Sequence, residues 1–85
     1  MKSFRYTITD PIGIHARPAG NLNKMIKQFA STVTISGNGR SVDAKKLMSV
    51  MTLGIKQGQE VELTFEGPDE EKAAAETEAY MKENL

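Results

Sequence analysis

The stretch Thr32-Val33-Thr34-Ile35-Ser36-Gly37-Asn38-Gly39-Arg40-Ser41-Val42-Asp43 reads as a β-hairpin. Val33 and Ile35 alternate with Thr32, Thr34 and Ser36, the two-residue period of a strand that buries one face. Asn38 and its flanking glycines tolerate the positive φ that tight hairpin turns demand, so Arg40 to Asp43 is the expected return strand. Upstream the period changes. Ala19, Leu22, Met25, Ile26 and Phe29 fall on one helical face, with Asn21, Lys24, Lys27 and Gln28 opposite. Before that helix, Asp10-Pro11 and Gly13 break the chain into a loop, and Phe4, Tyr6 and Ile8 alternate with Arg5, Thr7 and Thr9 as a first strand.

Downstream of the hairpin, Leu47, Val50 and Met51 suggest a short helix, with Gly54 as its expected C-cap. Glu60 to Phe65 alternates again, with Val61, Leu63 and Phe65 on the inner side. Gly67-Pro68 makes a turn, and Asp69 is the expected N-cap of a last helix. Glu70 and Glu71 suit that helix's positive end, and Ala73, Ala74, Thr77, Tyr80 and Met81 form its inner stripe. The order is therefore βαββαβα. Strands with one apolar face each are buried most economically as a four-stranded sheet carrying all three helices on one side. If the last strand splits the first strand-helix-strand unit, every neighbour is antiparallel and the crossover stays right-handed. The expectation is a single α+β domain over residues 1–85, an open-faced β-sandwich.

Composition narrows the function classes. Eleven basic residues balance eleven acidic ones in a chain of 85 residues, so no bulk charge draws it to nucleic acid or an anionic membrane. With no cysteine, disulfides, thiolate metal sites and thiol catalysis are excluded. No run is apolar enough to read as a signal peptide or a membrane span, which makes the cytoplasm the expected location. A Gly-rich nucleotide loop is missing as well, and no cofactor is expected.

The one histidine lies in Gly13-Ile14-His15-Ala16-Arg17-Pro18-Ala19. Proline is well tolerated in a helix only in the first turn, where its missing N–H would be unpaired in any case. His15 is thus expected at or just before a helix N-terminus, where free N–H groups and the helix dipole favour anions. Arg17 adds a fixed charge and a fork of donors that matches phosphate oxygens. By itself the dipole disfavours an arginine there by about 0.3–1 kcal/mol, and a bound anion reverses the sign. A neutral imidazole is also a competent nucleophile near neutral pH. The plainer alternative is a capping histidine beside an arginine in a surface ion pair. A metal site would lack partner ligands, and a hydrolase triad would lack a nucleophile elbow.

The whole run from about Phe4 to Tyr80 resembles the histidine-containing phosphocarrier protein (HPr) family of the bacterial phosphoenolpyruvate:sugar phosphotransferase system. Gly13 to Ala19 looks like that family's active-site signature. Leu47-Met48, Val50-Met51-Thr52-Leu53-Gly54 and Gln57-Gly58 match in order and spacing. The resemblance implies that His15 is phosphorylated on its δ nitrogen by enzyme I, which uses phosphoenolpyruvate, with Ala16 and Arg17 holding the phosphate through their backbone. It further implies donation to the A component of a sugar permease, so that the chain is a protein substrate rather than an enzyme. The family's docking surface maps onto Gly20, Lys24 and Lys27 of the first helix and onto Leu47, Met48 and Met51 of the second. Without the resemblance, methionines read as core filler and lysines as a solvated face. Leu47 and Val50 against Met48 and Met51 are expected to divide between core and surface.

Two positions depart from the family. Many members carry a regulatory serine immediately before the Leu/Ile-Met pair, where an ATP-dependent kinase acts; this chain has Lys46 there, preceded by Lys45. Ser49 is the nearest hydroxyl and reads as an ordinary polar helix residue. Gly20 replaces the usual alanine at a helix cost of about 0.5–1 kcal/mol. These departures leave open a regulatory or nitrogen-linked phosphorelay, or a non-phosphorylated domain that binds an anion or an acidic partner.

Overall fold

The computed structural model describes residues 1–85. Its elements are β1 (Lys2–Thr7), α1 (Ala16–Lys27), β2 (Thr32–Gly37), β3 (Arg40–Asp43), α2 (Leu47–Met51), β4 (Glu60–Glu66) and α3 (Glu70–Asn84). The strands lie in the order β1-β4-β2-β3, and every neighbouring pair is antiparallel. β4 thus splits the β1-α1-β2 unit, as the strand patterning implies.

Register explains why a single face is buried. Val33 pairs with Phe65, and Ile35 with Leu63, while Phe4 lies opposite Leu63 and Tyr6 opposite Val61. With a side-chain period of two, these residues share one side of the sheet. Val33, Ile35, Val61, Leu63 and Phe65 are fully buried there, beneath Leu22 and Ile26 of α1, Val50 of α2, and Ala73 and Met81 of α3. Burying each of the larger side chains stabilises the fold by about 1.5–3 kcal/mol. The Phe4 ring stacks on Phe65 at a centroid distance of 5.8 Å. The opposite face is polar, with the Ser36 and Ser41 hydroxyls 2.7 Å apart.

Three local details correct or add to the sequence reading. Gly54 does not cap α2: Thr52 is the C-cap, and Gly54 follows in the left-handed region at φ 63°. Helix α2 closes two residues early because the Leu53 and Gly54 N–H groups bond back to Val50 and Met51. Asp69 occupies the N-cap position of α3 but makes no capping bond. Its carboxylate instead accepts the N–H groups of Ala30 and Ser31, both at 2.9 Å, and the Ser31 hydroxyl. Gly67 permits this, since a Cβ there would collide with the Ser31 backbone. Finally, Asn23 in α1 is buried, its amide donating to the Lys45 carbonyl at 2.8 Å and thereby tying α1 to the entry of α2.

Candidate functional site

The loop between β1 and α1 delivers the histidine. Gly13 adopts φ 81° and packs so tightly on Ile55 and Lys56 that a side chain would collide with their backbone. The Ile14 N–H then donates to the Ile55 carbonyl at 3.0 Å, which pins the approach to α1. His15 follows as the N-cap residue in an extended conformation (φ −128°, ψ 170°), and its carbonyl accepts the Ala19 N–H at 3.0 Å. The imidazole itself makes no capping bond. It is 30% exposed, with Nε2 3.6 Å from Oδ2 of Asp10.

The end of α1 is left electrostatically open. The Ala16 and Arg17 N–H groups donate to nothing within the protein, and no acidic residue stands in the first turn. Pro18 has no N–H to offer. Arg17 is exposed and takes part in none of the ion pairs. Its charge therefore remains available to an incoming anion, and the surface ion pair of the plainer alternative does not form.

Asp10, His15, Arg17, Pro18, Asn21, Tyr80 and Asn84 line a shallow pocket of about 220 Å³. The Tyr80 hydroxyl donates to the Pro18 carbonyl at 2.8 Å and locks α3 against the first turn of α1. Burial pushes the Tyr80 phenol above its ordinary pKa, partly offset by Asn21, so it stays protonated and donating at neutral pH. A larger groove of about 500 Å³ crosses the outer sheet face between Arg5, Arg40 and Glu62, and contains none of the residues marked by the sequence. No three His, Cys, Asp or Glu side chains come together to hold a metal ion.

The structure brings His15 and Arg17 into one pocket, while Gly20, Lys24, Lys27, Leu47, Met48 and Met51 lie outside its lining. These six sit on α1 and α2, which pack against one another. Lys24 and Lys27 are exposed, and nothing crowds the position of a Cβ on Gly20. On α2, Val50 goes to the core and Met48 is 75% exposed, with Leu47 and Met51 half-buried. Lys46 is the exposed N-cap of α2, and Ser49 is half-buried one turn on. Sequence reasoning missed Asp10, Asn21, Tyr80 and Asn84 as neighbours of the histidine. Asp10 reads locally as a loop residue and Tyr80 as part of a core stripe, and only the fold brings them to His15.

Comparison with known proteins identifies the family. Residues 2–83 match the family model described as the PTS HPr component phosphorylation site. The chain belongs to the HPr phosphocarrier family. It is 45% identical over 76 residues to phosphocarrier protein HPr of Buchnera aphidicola, covering 89% of each chain. To phosphocarrier protein HPr of Lysinibacillus sphaericus it is 40% identical over 73 residues, covering 86% of this chain and 83% of the relative. The solved histidine-containing phosphocarrier protein of Mycoplasma superposes with a TM-score of 0.93 at 35% identity, covering 96% of this chain and 93% of that one. Members of the HPr family are phosphocarriers of the phosphotransferase system, not catalysts in their own right. No helix of the chain is long and apolar enough to cross a membrane.

Proposed function

We propose that this chain receives a phosphoryl group on Nδ1 of His15 from the phosphoenolpyruvate-dependent enzyme I, in the cytoplasm, and passes it to the A component of a sugar permease. The observation that carries this reading is a partly exposed imidazole at the head of α1, beside an unpaired Arg17 and two unclaimed backbone N–H groups. Nδ1 is the ring nitrogen that does not face Asp10. As the phosphoryl group arrives, the Ala16 and Arg17 N–H groups and the Arg17 guanidinium donate to its oxygens. Preorganised donors of this kind supply most of what a protein can contribute to phosphoryl transfer. The chain holds no nucleotide loop, so each partner must bring its own catalytic machinery.

The docking surface in this reading is the face around His15 made by Gly20, Lys24 and Lys27 on α1 with Leu47, Met48 and Met51 on α2. Met48, with 75% of its surface in water, offers that face a flexible apolar side chain for a partner to cover. Incubation with enzyme I and phosphoenolpyruvate tests the proposal directly. The expected result is a mass gain of one phosphate, acid-labile and alkali-stable, mapped to His15 and lost in a folded His15→Ala protein. Undiminished labelling of that variant would defeat the assignment.

A further inference from the structure

Asp10 is held more firmly than a loop residue needs to be. Its Oδ1 accepts the Ile12 N–H at 2.8 Å, its own N–H donates to the Leu85 carbonyl oxygen at 2.8 Å, and its carbonyl accepts the Gly13 N–H at 2.9 Å. These bonds leave Oδ2 turned to Nε2 of His15 at 3.6 Å. That separation is longer than a hydrogen bond, so the link is an electrostatic one. We propose that Asp10 is the positioning residue of this site: its carboxylate keeps the ring proton on Nε2, frees Nδ1 as the nucleophile, and balances the charge the ring gains on phosphorylation. This inference rests on the phosphocarrier reading above and adds a residue to it.

The chemistry follows from the proton count. A neutral imidazole carries one N–H and one lone pair, and a carboxylate can only accept. The arrangement with the proton on Nε2 is therefore favoured beside Asp10, and the lone pair falls on Nδ1. When Nδ1 attacks, the Nδ1–P bond forms and the bond from phosphorus to the donor breaks, its electron pair leaving with the donor. The Nε2 proton stays in place, so the ring becomes a cationic phospho-imidazolium. On transfer to the acceptor, the N–P bond breaks, its pair returns to Nδ1 and the ring is neutral again. Of the groups lining the pocket, Arg17 on α1 has the wrong sign for this cation, Tyr80 on α3 is protonated, and Asn21 and Asn84 are uncharged. Asp10 is the one acidic side chain in that lining.

The test uses Asp10→Asn, which keeps the side chain's size and the acceptor for the Ile12 N–H but removes the charge. Equal amounts of wild-type and variant protein are equilibrated with catalytic enzyme I and limiting phosphoenolpyruvate, and phosphate on each is read by mass spectrometry. The wild type should hold roughly two- to fivefold more label at neutral pH. This ratio should fall towards one as the pH rises and the phosphorylated rings lose their Nε2 protons. A merely structural role predicts no such pH profile. Equal partition at every pH would overturn the inference while leaving the phosphocarrier reading intact, whereas absence of label from both proteins would overturn the two together. A second measurement needs no variant: ring nitrogen NMR of the unphosphorylated wild type should find the proton on Nε2, and a proton on Nδ1 would refute the proposal.

Discussion

The N-terminal ends of α1 and α3 face the same physical problem and resolve it in opposite ways. Each presents free N–H groups and the positive end of a helix dipole. At α3 the protein supplies its own anions: Glu70 and Glu71 stand in the first turn, and a Glu70 carboxylate oxygen accepts the Gly67 N–H at 3.2 Å. The other Glu70 oxygen lies 2.7 Å from the chain's amino terminus. Asp69 is spent on Ala30 and Ser31 across the domain. At α1 no acid enters the first turn, and an arginine takes the second position. A helix end whose first turn carries its own acids has its dipole balanced from within; one left open in this way is fitted to an anion that comes from outside.

Arg17→Ala should break the comparison most visibly. On the α1 side the loss should fall on transfer, slowing phosphorylation by enzyme I about tenfold or more, on the order of 1.4 kcal/mol of transition-state stabilisation. The melting temperature should hold or rise slightly, because the dipole disfavours a cation there. Stopped-flow or quench measurements of the phosphorylation rate, paired with a thermal melt, check both halves. A normal rate would make Arg17 a bystander.

Asp69→Asn is the mirror experiment, with a stability effect and no functional one. Three donors lose their charged acceptor, and the melting temperature should drop by about 4–8 °C while phosphorylation of His15 proceeds at the wild-type rate. The sign of the pH dependence follows from the carboxyl itself. The Ser31 hydroxyl, followed by the Ala30 N–H, holds the Asp69 pKa below the ordinary carboxylate value. Its contribution is therefore fully present above the unfolded-state pKa and lost as the pH falls through the lower folded one. Acid melts of the wild type should show this loss, and the variant should lack that part of the slope.

The same contrast explains what could be read in the sequence. Strand alternation reported Val33, Ile35, Val61, Leu63 and Phe65 correctly, because a one-residue slip would expose them all. Pro18 located the head of α1 because proline has so few other places in a helix. Asp69 does stand at the N-cap of α3, as its place before Glu70 implies, but a capping carboxylate and a long-range acceptor have the same local pattern; only the close approach of Gly67 to Ser31 decides between them. Asp10 and Tyr80 were illegible for a related reason. Tyr80 reaches the pocket through a bond to Pro18 across the chain, and Asp10 faces His15 through the shape of the loop between them; no periodicity encodes either. The buried Asn23 escaped notice because its partner carbonyls lie 21 and 22 residues away.

The smallest expected effect concerns the third helix start, at α2. Lys46 is its N-cap, extended at φ −104° and ψ 100°, and it makes no side-chain capping bond. In many relatives implied by the family pattern a serine stands here and is phosphorylated, which suits a helix end because phosphate gains from free N–H groups and the dipole. Lysine has no hydroxyl and meets the dipole with the wrong sign. The ATP-dependent kinase of that pattern should leave this protein unmodified, and Lys46→Ser should make it a substrate. Because serine can accept an N–H from the first turn and lysine cannot, the substitution should be neutral or stabilise by up to about 0.5 kcal/mol. Mass spectrometry after kinase treatment, beside a denaturant melt, measures both. Phosphate on wild-type Ser49, in the first turn of α2 and half-buried, would show that the switch has moved rather than been lost, and would count against this reading. In that outcome the α2 start would belong with α1, as a helix end that a foreign phosphate reaches.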